Sequence, residues 1–540
     1  MELKCDVLVI GGGIAGISAA IEAASHGASV ALACAGPLFG GSSFYPGTWG
    51  LGLIGPESDT DEADLIASIL RVGCGVADER LVETFVRGIH PSIVWLEDEL
   101  GVRLKRPESA ESALESTFIP CFDHKHRLWR GITRKEFEAA AKRAFEELGI
   151  DVLERCELMH LTRGEDGTRA IVGAILYDRR AQELFGCIAN AIVLSTGGTG
   201  GLFERSLTSQ DVLSSAQGIA MDAGCSLVNI EFMQMMPGLV YPARGIVFNE
   251  KTFRYAMFED ENKLLPREPE DLGALLERRS GHGPFTCRLN DALVDMAIDA
   301  AGDEGLSVRY RFPHEGAPEF VRTFAQWMQD ELGITPADNL RVAMYAHAAN
   351  GGIQIDECAQ TGVPGLYACG EVTGGMHGAD RIGGLSSANG LVFGRIAGTQ
   401  AAKAAERMKS GAAMRQVATR ALELALQDIR MTKAPLDDMD ASRITGDMKR
   451  TMSAHAMIQR TETGLADALR DIEQLQREAR FHGACRGCVI PRDASLARGI
   501  RISSQLKLAH AMLSAMRERR ESLGSHYRPD YPPHVHHPRA

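Results

Sequence analysis

Long hydrophobic runs are missing from the 540 residues, and no apolar stretch is long enough to cross a bilayer as a helix. A membrane-spanning role is therefore not expected. A surplus of positive charge is missing too: the net charge of −13 argues against nucleic acid as the main partner. It leaves an anionic substrate open, because local arginines decide that. Clustered cysteine is the third absence. The twelve cysteines are scattered, with no ferredoxin-like set to hold an iron–sulfur cluster. No second C-x-x-C or neighbouring histidine pair makes a zinc site of Cys485 and Cys488, so no metal is expected. That pair stays open between a redox dithiol and two cysteines flanking a helix. The apolar N-terminal run lacks a basic leader and a small-residue cleavage site, so the chain is expected to be cytoplasmic with reduced thiols. The tail holding His526, His534, His536 and His537 among prolines reads as a frayed end and not as a metal site.

What is present begins with Asp6 to Ile10, a β-branched apolar run that feeds Gly11, Gly13 and Gly16 of a G-x-G-x-x-G. The alanine-rich Ile17 to Ala24 follows. In such a strand–turn–helix the first glycine permits the turn, the second lets backbone approach a diphosphate, and the third lets helix pack on strand. The anion then rests on the helix N-terminus, where unpaired N–H groups and the dipole favour negative charge. Gly11, Gly13, Ala15 and Gly16 are the first candidate cofactor contacts.

At 45% hydrophobic and 24% charged residues the composition is that of a globular protein of two or three domains. Residues 1–235 alternate strand-like runs such as Ala28 to Leu32 and Ala189 to Leu194 with helical patterns such as Arg134 to Leu148. Residues 236–345 are polar, arginine-rich and irregularly punctuated, and read as a smaller inserted domain. Glycine-rich strand–turn–helix patterns return over 346–405 and complete the first domain. From 406 to 540 helical spacing dominates, in Met414 to Ile429 and Leu465 to Arg480. No internal repeat or low-complexity tract is found.

Five segments form a connected set: the glycine motif; Ser195-Thr196-Gly197-Gly198; Gly365-Leu366-Tyr367-Ala368-Cys369-Gly370-Glu371; Met376-His377-Gly378-Ala379-Asp380-Arg381; and Glu521 to Pro532. Together they resemble the succinate dehydrogenase, fumarate reductase and L-aspartate oxidase flavoprotein family over nearly the whole chain. The resemblance implies an α/β Rossmann-like FAD-binding domain, an inserted α+β capping domain and a C-terminal helical domain. It implies FAD, not NAD, in the glycine-rich site, with Ser42, Ser43, Thr196, Gly197, Gly198, Glu371, Ser386 and Ser387 as further contacts. Glu371 matches the family's ribityl-contacting glutamate. The turn Ser386 to Asn389 is expected to precede a helix whose N-terminus faces the flavin pyrimidine. Family members that bind FAD covalently carry a histidine where this chain has Gly41-Ser42-Ser43-Phe44-Tyr45, so noncovalent flavin is expected. Pro46-Gly47-Thr48-Trp49-Gly50 replaces the usual A-Q-G-G, a rebuilt loop near the flavin edge. The second strand ends in Ala33-Cys34-Ala35 without an acid for the ribose, as in aspartate oxidases.

Hydride transfer between flavin N5 and a carbon beside a carboxylate needs a cationic grip, a proton donor or acceptor, and exclusion of water. The resemblance assigns the grip to Arg381, whose planar fork suits a carboxylate, with His347 as a second contact. Asp380 stands where the family has asparagine, and either weakens that grip or orients the guanidinium. The family's proton-donating arginine has its nearest counterpart in Arg288, displaced by a few residues and without the following aspartate; a surface arginine is the alternative. The largest departure is Glu231 to Gly238, where Met236 and Gly238 replace a histidine and a threonine that hold a substrate carboxylate. Asn249, beside Glu250, would restore one donor. The expected substrate is a small carboxylic acid with one carboxylate on Arg381 and His347 and a less charged or apolar far end; the alternative is that Met236 merely packs while Arg244 or Arg254 rotates in. The electron acceptor is open between oxygen, a quinone and a redox protein. Two other readings stand beside this enzyme: a flavoprotein subunit passing electrons to an iron–sulfur or quinone partner, and a pseudoenzyme that binds FAD structurally.

Overall fold

Val7 to Ile10 are buried on both faces of the strand Glu2–Ile10, which explains why the run is continuously apolar instead of alternating. The computed structural model describes residues 2–48, 50–115, 118–164, 170–259, 264, 271–313, 315–407, 412–432, 434–484 and 492–533. Trp49, Cys485, Cys488, His534, His536 and His537 lie outside the described residues. Glu2–Ile10 pairs in parallel with Val30–Cys34 on one side and Glu183–Leu194 on the other, placing Val7 opposite both Val30 and Ala191. Helix Ile14–Ser25 makes the crossover that parallel neighbours require. The seven-stranded sheet runs in space as Asp151–Glu154, Val30–Cys34, Glu2–Ile10, Glu183–Leu194, Ile171–Asp178 and Cys156–Arg163, with Leu366–Ala368 joined to Glu183–Leu194.

A late segment thus completes the first sheet, and a late helix covers it. Leu385–Arg407 lies along Ile14–Ser25 at backbone distance, because Gly394 and Gly398 carry no side chain. A Cβ at Gly394 would stand 2.6 Å from the Ala15 carbonyl oxygen, and one at Gly398 would overlap that of Ala19. The helix begins at Leu385, so Ser386 to Asn389 form its first turn and do not precede it.

The inserted region is built on an antiparallel pair, Met233–Tyr241 with Leu340–Ala349, running from Met233 opposite Ala349 to Tyr241 opposite Arg341. The chain leaves and re-enters the nucleotide-binding domain through these neighbouring strands, and the boundaries expected at 235/236 and 345/346 fall inside them. Ile246–Val247, Leu306–Tyr310 and Ala256–Phe258 complete a five-stranded sheet. Helices Leu272–Arg279, Ala292–Ala300 and Glu319–Leu332 accompany it, and Phe248, Phe253, Tyr310 and Phe324 meet in its core.

Helices Ala412–Thr432, Asp438–His455, Glu462–Ala484 and Asp493–Glu518 follow. The chain then returns to the nucleotide-binding domain. Ser525 donates from both its backbone N–H (3.2 Å) and its Oγ (3.0 Å) to the Ala379 carbonyl, one residue before Asp380. The expectation of a frayed tail fails at His526, which is fully buried and takes a 2.8 Å hydrogen bond from Arg460. Arg460 is itself fully buried and also donates to the Glu231, Ala456 and Met457 carbonyls. This network, not the composition of the tail, decides the order of the segment. Among the described residues no helix is long and apolar enough to cross a membrane.

Candidate flavin and substrate site

One cavity of about 380 Å³ runs from the first strand–helix turn to the inserted sheet. Gly11, Gly13, Ala15, Ser42, Ser43, Thr196, Gly197, Glu371, Ser386 and Ser387 line it, and so do His347 and Arg381. Gly16 and Gly198 stand behind the wall. A Cβ on Gly16 would overlap the Gly11 carbonyl oxygen, and one on Gly198 would overlap Glu371 Oε1. Arg288 does not line the cavity.

The residues present fit a dinucleotide. Helix Ile14–Ser25 has no side-chain cap, and Gly13 ahead of it faces open space, with only Ser43 Oγ within reach of an added Cβ at 3.4 Å. An anion placed there meets backbone N–H groups directly. Ser42 Oγ, Thr196 Oγ1 and Asn389 Oδ1 are buried without a protein partner, which a folded protein tolerates when a ligand supplies one. Asp211 accepts the Gly41 N–H at 3.0 and 3.1 Å and fixes the glycine-rich loop beside them. Glu371 takes the Ala349 N–H at 2.9 Å, and burial holds its carboxyl above the usual range. An acid absent from the end of the second strand is present on a neighbouring one: Glu157 lines the same end of the cavity as Cys34 and Ala35. It already holds Arg501 through two 2.8 Å hydrogen bonds. Sequence reasoning misses both Asp211 and Glu157, because each reaches the cavity through tertiary packing and not through a motif.

At the far end Arg381 is the only arginine or lysine lining the cavity among the described residues. Its Nε donates to Gln234 Oε1 at 3.2 Å, and no carboxylate pairs with it among the described residues. The buried arginines nearby are spent: Arg279 pairs with Asp295 and Arg127 with Asp123. An unpaired guanidinium out of water is costly, so the site is set up for an anion from outside. Burial and the Arg381 charge pull His347 down to about 3, leaving a neutral ring whose Nδ1 has no protein partner.

Arg288 has another task. Its Nε and terminal nitrogen lie 2.9 and 2.8 Å from Asp380 Oδ2, which also accepts from Thr286 at 2.8 Å. The aspartate that replaces the family's asparagine therefore ties the inserted domain to the loop that carries Arg381. Met236 packs with Leu207, Ala343 and Tyr345 while lining the cavity. Asn249 lines it as well, but its Oδ1 is occupied by the Lys251 N–H at 2.9 Å. Arg254 pairs with Glu277, and Arg244 is exposed on a separate cleft, so neither turns toward Met236.

His347 and His377 are both held near 3, and His526 near 2, against an ordinary 6.5. Below pH 6.5 the unfolded chain takes up protons that these rings refuse, so stability falls as pH drops from 6.5 toward 3. Each ring contributes up to about 1.4 kcal/mol per pH unit. The thermal transition at pH 5.5 is expected to lie well below that at pH 7.5. Replacing His377 by Gln should flatten the dependence, and an unchanged slope would rule out these rings as its source.

Such a site defines a flavin-dependent oxidoreductase. A family model described as an FAD binding domain matches residues 6–387, and one described as the fumarate reductase flavoprotein C-terminus matches 445–537. The chain belongs to the succinate dehydrogenase, fumarate reductase and L-aspartate oxidase flavoprotein family, whose cofactor is FAD. It is 28% identical to an L-aspartate oxidase of Yersinia pestis, over 99% of this chain and 97% of that one. It is 27% identical to the flavoprotein-family chain of a fumarate reductase (CoM/CoB) of Methanothermobacter marburgensis, over 98% and 95%. Among solved structures it superposes on an E. coli quinol fumarate reductase with a TM-score of 0.75 at 20% identity, over 99% of this chain and 92% of that one.

Proposed function

We propose that this FAD-dependent oxidoreductase transfers hydride between flavin N5 and a carbon next to the carboxylate of a small acid, with the FAD held noncovalently. The observation that carries the reading is Arg381, a cavity-lining guanidinium without a carboxylate partner among the described residues. Gly11, Gly13, Ala15, Ser42, Ser43, Thr196, Gly197, Glu371, Ser386 and Ser387 hold the FAD, and Gly16 and Gly198 allow the close packing behind it. FAD bound there supplies the two-electron chemistry. Arg381 grips the carboxylate with its planar fork, Gln234 fixes its Nε, and neutral His347 adds one hydrogen bond without adding charge. Met236 presents a soft apolar wall in place of a second anion subsite. Arg288 acts through Asp380 and not on the substrate, because both its contacts to that carboxylate are already made. Residues 1–235 with 346–405 form the flavin-binding unit, 236–345 the cap and 406–540 the helical unit of a cytoplasmic protein. Its electrons go to oxygen, a quinone or a redox protein.

The test compares small carboxylic acids with their amides. Oxidised protein is mixed with saturated and amino acids, and anaerobically reduced protein with enoates, while flavin absorbance is followed. A redox response from at least one acid and none from its amide is expected. Equal response to acid and amide, or none to any acid, would sink the reading.

A further inference from the structure

Opposite Arg381 the cavity presents a second charged side chain. Glu250 follows Asn249 at the start of the short 3-10 turn Glu250–Tyr255 and lines the same cavity as Cys121, Met236, Gly283 and Pro284. The Cys121 thiol donates to Glu250 Oε1 at 3.0 Å. Burial beside this carboxylate pushes the thiol pKa up, so Cys121 stays a donor and not a competing anion. Three side chains converge on one point: a Cβ added at Gly283 would stand 3.6 Å from Cys121 Sγ, 3.9 Å from Glu250 Cδ and 4.0 Å from Met236 Cε. Cys121 also abuts Gly383, two residues from Arg381, its Sγ 3.5 Å from a Cβ built there. Glu250 contributes to holding the charge on Arg381, and no lysine or arginine pairs with it among the described residues.

The far end of the cavity is therefore zwitterionic, with one cation in Arg381, one anion in Glu250, a neutral His347 and an apolar wall at Met236. A dicarboxylate lying along it would satisfy Arg381 and set its second negative charge against Glu250, in a site poor in water where like charges repel strongly. We propose that Glu250, steadied by the Cys121 thiol, is a subsite for a cationic nitrogen, and that the substrate is a zwitterion with one carboxylate, an amino acid whose side chain is uncharged. This rests on the reading that Arg381 holds a carboxylate. Cys121 is a positioning residue, since it spends one carboxylate oxygen and leaves the other to the ligand.

The experiment titrates the FAD-loaded protein anaerobically, at fixed ionic strength, with norvaline, 2-hydroxypentanoate, pentanoate, pentanamide and succinate. The readouts are the perturbation of the flavin visible band and the shift of the thermal transition. Norvaline is expected to bind at least about tenfold more tightly than pentanoate and 2-hydroxypentanoate, the factor for a charge-assisted hydrogen bond, with succinate weaker still. Glu250→Gln, with FAD content retained, should bring norvaline and pentanoate within about twofold of each other, which removes the ion-pair increment. The thermal-shift ordering on the unmodified protein tests the same prediction without a variant. Succinate, pentanoate or 2-hydroxypentanoate matching norvaline would overturn the cation subsite while leaving the carboxylate grip intact. Pentanoate no better than pentanamide would instead bring down the reading of Arg381, and the inference with it.

Discussion

Arg381→Met is expected to leave FAD in place and to weaken every carboxylate response by about 30-fold or more. Truncating one partner of a buried charge pair costs about 2–5 kcal/mol, a factor of about 30 to several thousand. Methionine keeps the unbranched stem and much of the volume, so the effect belongs to the lost guanidinium and not to a cavity. Lysine should rescue little: its ammonium cannot donate to Gln234 and to both carboxylate oxygens in the planar geometry of the fork. The measurement is flavin reduction or reoxidation by matched acid and amide, beside the FAD content of the variant. The amide baseline should be unchanged. A variant that still prefers acid over amide would remove Arg381 from the substrate.

Arg381, His347 and the glycine motif are legible in the sequence alone, because they sit in contiguous segments whose spacing carries their geometry. Helix Arg134–Leu148 is equally plain, since its 3.6-residue pattern ends at Gly149 in the left-handed conformation. Contacts between distant segments are not legible in this way. Asp380 is visible as a departure from the family pattern, yet its effect depends on Arg288, 92 residues away. Cys121 and Glu250 are separated by 129 residues, and neither belongs to a motif. The inserted sheet escapes for a related reason. Met233–Tyr241 and Leu340–Ala349 are buried along most of their length, so the alternation that betrays a half-exposed strand is absent. His526 misleads in the opposite direction: a proline- and histidine-rich terminus suggests fraying, whereas Arg460 and Ser525 bind it to the body of the protein.

Asp380→Ala should be the most damaging single change outside the cofactor cradle. It strips Arg288 of its ion pair and Thr286 of its acceptor, both on the inserted domain and both facing the loop of Arg381. Breaking a buried pair from one side costs about 3–5 kcal/mol, because the surviving charge has neither water nor partner. The side chain of Asp380 is fully buried and that of Arg288 is 32% exposed, so the lower end of that range applies. Replacing both at once, Arg288→Met with Asp380→Leu, removes the charge as well as the pair and should recover much of the loss. The readouts are flavin release and circular dichroism on heating, with the acid-over-amide preference measured on whatever remains folded. If the contact also sets the position of Arg381, Asp380→Ala should weaken carboxylate binding while FAD content holds, and the double variant should restore stability more fully than it restores binding. A single variant as stable as the parent would mean that the ion pair is replaceable by solvent and does not fasten the inserted domain to the flavin domain.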